Sequence, residues 1–178
     1  MSDLTLHTQR LTLRKPTVTD ASQLLRLFNQ PDFIENIRDK HIRTEQQAIA
    51  EIEQVLLPHY DKHGFCLLSM DTTEEACIGM CGLVKRPALD IPDIGFAILS
   101  EHQNKGYVTE ASVAVLEHGF NVLNLETIAA IVNPDNMASI SVITKLDMSF
   151  IRGMQLDDDD AQVKYFELTR SAFNKAHA

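Results

Sequence analysis

Residues 101–111 read Glu-His-Gln-Asn-Lys-Gly-Tyr-Val-Thr-Glu-Ala and follow the apolar run Ile-Gly-Phe-Ala-Ile-Leu at 94–99. A strand that feeds a glycine-containing turn and then a helix leaves several backbone N–H groups unpaired at the helix N-terminus. Such groups, aided by the helix dipole, hold phosphate without basic side chains. Gly106 permits backbone angles closed to other residues and lets an anion approach, and Lys105 adds one cation at the mouth. Lys105 and Gly106 by themselves fit an ordinary strand-to-helix turn with a solvated lysine equally well.

The hydrophobic pattern supplies the elements that such a turn needs. Leu4, Leu6, Leu11 and Leu13 alternate with polar residues and predict a strand over 4–14. Asp20 stands where an N-cap would open a helix carrying Leu24, Leu25, Leu27 and Phe28. Thr44 with Gln47 makes a capping-box pattern before a second helix, with Ile49, Ile52, Val55 and Leu56 on one face and Gly64 after it. Strands are expected at 65–70, 76–84 and 93–99, with a turn at 71–75 and a loop at 87–92. A long helix follows from Gly106 to about Val122, then a strand at 127–132, a helix at 136–145, and strands at 150–155 and 163–168. The order is strand, two helices, three strands, helix, strand, helix, two strands. It predicts a mixed α/β domain with a central meander and later crossovers.

The length of 178 residues fits a single domain over 1–178, and 44% hydrophobic with 23% charged residues fits a globular chain with one core. The formal net charge of -9 argues against nucleic acid or an anionic membrane surface as partner. A backbone-built phosphate site is compatible with that charge. No apolar run approaches the length of a membrane span, and the N-terminal Met-Ser-Asp-Leu-Thr-Leu lacks the pattern of a secretory signal, so a cytoplasmic location is expected. Cys66, Cys77 and Cys81 are odd in number and unpaired in spacing, which suits a reducing compartment and buried packing roles. Cys77 and Cys81, four apart in one expected strand, stand roughly 13 Å from one another, too far to share a metal. His59 and His63 have helical i, i+4 spacing but no third ligand nearby, so solvated histidines are expected and no metal site. The four aspartates at 157–160 read as a solvated turn.

The turn Asn-Lys-Gly-Tyr-Val-Thr-Glu-Ala at 104–111 resembles the Gly-Lys-Gly-Tyr-Ala-Thr-Glu-Ala turn of the GNAT superfamily of N-acetyltransferases. The resemblance is closest to the branch containing the ribosomal-protein alanine and serine N-acetyltransferases. Thr-Gln-Arg-Leu-Thr-Leu-Arg at 8–14 followed by Asp20 is similar to that branch's opening strand and first helix. Asp-Ile-Gly-Phe-Ala-Ile-Leu at 93–99 is similar to its central strand. Asn-Pro-Asp-Asn-Met-Ala-Ser at 133–139, ending in Lys145 and Leu146, resembles its Asn-Pro-x-Asn-x-x-Ser…Lys-Leu-Gly-Phe segment. Two segments depart from the pattern. Glu101 stands where glutamine or arginine is usual and Asn104 replaces the first glycine, while Asp147 and Met148 replace Gly-Phe. Asparagine is the non-glycine residue that best tolerates left-handed angles.

The resemblance implies a mostly antiparallel central sheet, splayed in the middle and flanked by helices. It implies acetyl-coenzyme A as co-substrate and a primary amine as acceptor, either a small molecule or a protein N-terminus. Its pantetheine arm would lie against the backbone of Ile98 and Leu99, and its pyrophosphate against the N–H groups of Asn104, Lys105, Gly106, Tyr107, Val108 and Thr109. Asn136 would meet the arm from the other side, although it also fits a plain helix N-cap. Asp93 is the candidate base, or else an exposed residue after Pro92. The tyrosine that many GNAT enzymes use as general acid has no counterpart after Asn136, and Ser139 offers a hydroxyl near the coenzyme sulfur or a local helix bond. Monomer and homodimer both fit. A non-catalytic acyl-coenzyme A binding or sensing module on the same fold is the alternative, and a nucleotide-phosphate binder a third. Aspartates 157–160 at the acceptor mouth would favour a cationic acceptor.

Overall fold

A computed structural model describes residues 4–156 and 161–178, so the acidic run at 157–160 lies outside the described residues. The leucine alternation at the start folds as a hairpin rather than one strand. β1 (Thr5–His7) and β2 (Thr12–Arg14) pair antiparallel. Thr8 closes the turn, its N–H donating to the Leu11 carbonyl at 2.9 Å and its hydroxyl accepting the Leu11 N–H at 2.9 Å. The sheet continues through β3 (Leu67–Asp71), β4 (Gly79–Val84), β5 (Asp93–Ile98), β6 (Thr127–Val132), β7 (Ser149–Met154) and β8 (Val163–Thr169). Its order is β1-β2-β3-β4-β5-β6-β8-β7. Every neighbouring pair is antiparallel except β5 and β6.

Between β2 and β3 the chain forms α1 (Ala21–Phe28), α2 (Pro31–Asn36), α3 (Glu45–Glu51) and α4 (Leu57–His63), where the pattern predicts two helices. α2 is a short piece opened by Pro31, whose missing N–H suits a first helical position. The Thr44–Gln47 capping box is present: the Gln47 N–H donates to Thr44 Oγ1 at 3.2 Å, and Gln47 Oε1 accepts the Thr44 N–H at 3.2 Å. α3 and α4 are joined by a π-helical stretch, Ile52–Leu56, just before Pro58. A widened turn tolerates a residue that lacks a donor and crowds the preceding carbonyls. It also shifts the helix face. Ala48, Ile52 and Leu56 are buried, whereas Val55, expected among them, is half exposed. Gly64 ends α4 in the left-handed region at φ 78°.

One sheet face carries Leu83, Ile94, Ile128, Ala130, Phe166 and Leu168 in a common core. α5 (Tyr107–Asn121), α6 (Met137–Lys145) and the unforeseen α7 (Arg170–Ala176) bring Leu116, Phe120, Ile143 and Phe173 to it. On the other face α1 to α4 pack on Met80, Ala97 and Leu99, and the loop after β4 sets Leu89 on Ala129 and Tyr165. Cys66, Cys77 and Cys81 are buried, and burial pushes each thiol up to about 12. Cys77 lies outside β4, in the turn before it at φ 52°, rather than in the strand with Cys81. Among the described residues no helix is long and apolar enough to cross a membrane.

Asp20 does not cap α1 through its side chain; it is buried under α1 as the centre of a charge network. Arg14 donates to both of its oxygens at 2.8 Å and to Asp71 at 2.7 and 3.1 Å, while the Ser69 hydroxyl and Thr17 N–H donate to Asp20 at 3.0 and 2.9 Å. Burial alone would raise the Asp20 pKa, but the Arg14, Thr17 and Ser69 hydrogen bonds and the Arg14 charge outweigh it and hold the carboxyl below its usual range. Because the native value lies below the unfolded one, this contribution is complete above the unfolded pKa near ~4 and fades as pH falls through the native value. Asp20→Asn is expected to cost about 3 to 5 kcal/mol in urea unfolding at pH 7. That difference from the parent should shrink as the titration is repeated at progressively lower pH.

Candidate functional site

β5 leads through one 3-10 turn, Ser100–His102, into the start of α5. Asn104 and Gly106 both adopt left-handed angles, φ 59° and 79°. The first intrahelical bond runs from the Glu110 N–H to the Gly106 carbonyl at 3.1 Å. The N–H groups of Tyr107, Val108 and Thr109 therefore have no carbonyl behind them in the helix. Asn104, Lys105 and Gly106 are exposed and the next three residues half-buried. Glu101, whose charge could have opposed an anion here, is met by Arg26 of α1 in an ion pair. A backbone interaction of Glu101 and then the Arg26 hydrogen bond hold its carboxyl below the usual range.

A strut from the far end of the chain supports the turn. Glu110 accepts from the Thr8 hydroxyl at 2.6 Å, the Arg10 N–H at 2.8 Å and Arg10 Nε at 2.7 Å. Arg10 Nη1 donates to the Lys105 carbonyl at 2.8 Å, and the guanidinium lies over the Tyr107 ring at 4.6 Å. The β1–β2 hairpin is thus fastened to the first turn of α5. Thr8, Arg10 and Glu110 all fall within the motifs quoted above, but about a hundred residues separate them and nothing in the sequence pairs them. A cavity of about 300 Å³ lies beside the strut, lined by Arg10, Thr72, Glu75, His102, Lys105 and Tyr107 among others. Glu75, Glu101 and His102 bring ligand-type atoms within 4.8 Å of one another. Each already has a protein partner: His102 Nε2 pairs with Glu75 at 2.9 Å, and Glu101 with Arg26.

The parting of the sheet lies beside this turn. β5 and β6 share one register pair, Asp93 with Ala129. Beyond it Gly95, Phe96 and Ala97 are only half-buried although they sit mid-sheet. Leu99 has its N–H on the Ile78 carbonyl at 2.9 Å, and its carbonyl accepts from the His102 N–H at 2.9 Å. Of the two residues expected to offer backbone to a ligand, Leu99 is thus already engaged by the protein. The Ile98 carbonyl accepts from Gln30 Nε2 at 3.2 Å.

Asp93 is fully buried rather than exposed after Pro92. Arg86 Nε holds both of its oxygens, at 2.9 and 3.0 Å. Burial outweighs Arg86 and raises the carboxyl to about 6. The loop carrying Arg86 is fixed by His59, whose Nε2 accepts the Lys85 N–H at 3.1 Å. His59 and His63 are therefore not solvated as expected: the rings lie 4.6 Å apart and both lie against Phe65. Across the parting, after β6, Asn136 caps α6. Its Oδ1 accepts the Ser139 N–H at 3.1 Å and its Nδ2 donates to Ser139 Oγ at 2.9 Å. That leaves the Ser139 hydroxyl proton free to donate. Tyr165, on β8, gives its hydroxyl to Glu167 at 2.8 Å, and burial and that bond raise it to about 12.

The chain matches the family described as acetyltransferase (GNAT) domain over residues 10–149, and it belongs to that family. An uncharacterized N-acetyltransferase p20 of Bacillus licheniformis is 30% identical over 145 residues, covering 80% of each chain. Among solved structures, a GNAT-family acetyltransferase from Bacillus anthracis has a TM-score of 0.79 at 20% identity, covering 94% of this chain and 99% of that one. RimL, a ribosomal L7/L12 alpha-N-protein acetyltransferase in complex with coenzyme A, has a TM-score of 0.80 at 15% identity, covering 95% and 99%. These two likenesses establish the mostly antiparallel, helix-flanked fold.

Gly106→Ala tests the turn without any ligand. The added methyl group would stand 3.3 Å from Arg10 Nη2 on a left-handed backbone. A loss of about 1 to 2 kcal/mol in urea unfolding is expected, and Gly64→Ala, with open space around it, should cost no more than its own left-handed angle.

Proposed function

We propose that this GNAT-family protein transfers an acetyl group from acetyl-coenzyme A directly to a primary amine, a small molecule or a protein N-terminus. The observation that carries the reading is the left-handed Asn104 and Gly106 pair, which sets unpaired N–H groups at the head of α5 beside the parted β5 and β6. The N–H groups from Asn104 to Thr109, with Lys105, receive the pyrophosphate. The pantetheine arm enters the parting along β5, where Ile98 is the principal backbone partner because Leu99 turns its N–H to β4. Asn136 retains one amide proton for the arm from the opposite side.

Acetyl transfer requires a neutral amine close to the thioester and a proton for the departing thiolate. Asp93, raised to about 6, is ionised at neutral pH and takes the ammonium proton directly or through water. The amine attacks the thioester carbonyl, gives up a further proton to water, and collapse of the tetrahedral intermediate expels the thiolate. Its proton comes from the Ser139 hydroxyl, re-protonated from water, or from water itself. RimL, of the same fold, acts on a protein N-terminus as its name states, which makes a protein N-terminus one acceptor class to test.

Incubation with acetyl-coenzyme A and panels of amines and N-terminal peptides should release free thiol above background on at least one acceptor. Binding of coenzyme A without turnover on any panel would make the chain a non-catalytic acyl-coenzyme A module instead. For an acceptor that reacts, kcat/KM should rise with pH through an inflection near 6, because the base works only when ionised. Asp93→Asn should remove that inflection and lower kcat by about 10²- to 10⁴-fold.

A further inference from the structure

The geometry points to Gln30 as an internal competitor of the coenzyme, its carboxamide occupying the stretch of β5 edge that the pantetheine arm must take; this rests on the reading that the arm lies along β5. The Leu99 N–H turns toward β4, where it meets Ile78. Alternation along a strand therefore turns the N–H and carbonyl of Ile98 to the opposite edge, the one that faces the parting. At that edge Gln30 Nε2 donates to the Ile98 carbonyl at 3.2 Å. Gln30 Oε1 accepts from the Ser100 N–H at 2.7 Å and from the Ser100 hydroxyl at 3.1 Å. The primary carboxamide, whose oxygen and one N–H point the same way, thus pairs with the carbonyl of one residue and the N–H of the residue two further on, as the N–H and carbonyl of a single residue in an adjoining parallel strand would.

Gln30 stands at the junction of α1 and α2, and that junction is fastened to the same turn on both sides of it. Arg26 pairs with Glu101, and Gln103 Nε2 donates to Asp32 at 2.7 Å. The carboxamide is thereby delivered to β5 by a clasp of three side chains. The pantetheine arm carries two secondary amides in series, and the N–H of one with the carbonyl of the next offers one edge the same donor and acceptor pair. The Ser100 N–H has one proton, so the arm and Gln30 cannot both be served there. Without coenzyme the edge is satisfied by the chain itself; with coenzyme Gln30 withdraws and one point of the clasp opens.

Calorimetric titration of coenzyme A and of adenosine 3′,5′-bisphosphate, which lacks the arm, into the parent and Gln30→Ala tests this. Coenzyme A should bind Gln30→Ala about three- to tenfold more tightly, the range of one ordinary hydrogen bond, and the bisphosphate should bind both proteins alike. Amide exchange supplies a second measure: Ser100 should be protected in the parent with or without coenzyme A, and in Gln30→Ala only with it. Equal or weaker binding of coenzyme A by Gln30→Ala, with the parent binding normally, would overturn the competition and leave the acetyltransferase reading standing. Failure of the parent to bind coenzyme A would overturn both.

Discussion

The parallel contact between β5 and β6 ends after the pair Asp93 and Ala129, and the site is organised by that ending. All other neighbours in the sheet run antiparallel over three to six register pairs, with one irregularity between Phe150 and Arg152 of β7. A parallel pair must be joined by a crossover, here α5, whose N-terminus lies at the end of β5. The opening in the sheet and the positive end of a helix therefore meet at one place. Exposed backbone in the one and unpaired N–H groups in the other therefore stand side by side in an acidic chain.

An opening in the middle of a sheet would be costly if its margins were loose, and two sets of polar contacts hold them. The β1–β2 hairpin reaches the head of α5 through Glu110, and α1 and α2 reach the 3-10 turn through Arg26, Gln30 and Asp32. The turn is gripped from both sides, by parts of the chain that lie near its beginning. The buried Arg14–Asp20–Asp71 network then fixes those early segments to β3. The shape of the turn before α5 thus depends on residues distant from it along the chain.

Local signals were legible in the sequence to the degree that they were local. The Thr44 capping box, the left-handed tolerance of Asn104 and the termination at Gly64 each depend on a few neighbouring residues, and each is realised. β6 has the bounds expected for it, 127–132. The failures share a physical cause. Leu4 to Leu13 alternate correctly for two strands as well as one, and only the bonds of Thr8 to Leu11 decide. Asp20 has the residue type of a cap, but Arg14 and Ser69, from other elements, claim it. Val55 moves off the buried face because Pro58, three residues later, sits behind a widened turn. Asp93, Asn136 and Ser139 entered as site candidates by resemblance. Arg86, Gln30 and the Arg10–Glu110 strut did not, since their meaning lies in partners distant along the chain.

The three cysteines carry a consequence for how the protein meets electrophiles. Each thiol is buried and raised to about 12, so at neutral pH it keeps its proton and lacks the nucleophilic thiolate. The folded chain is in this respect an inert vessel for thioester chemistry. It offers an acyl donor no sulfur of its own to acylate and a coenzyme thiol no ready partner for a mixed disulfide.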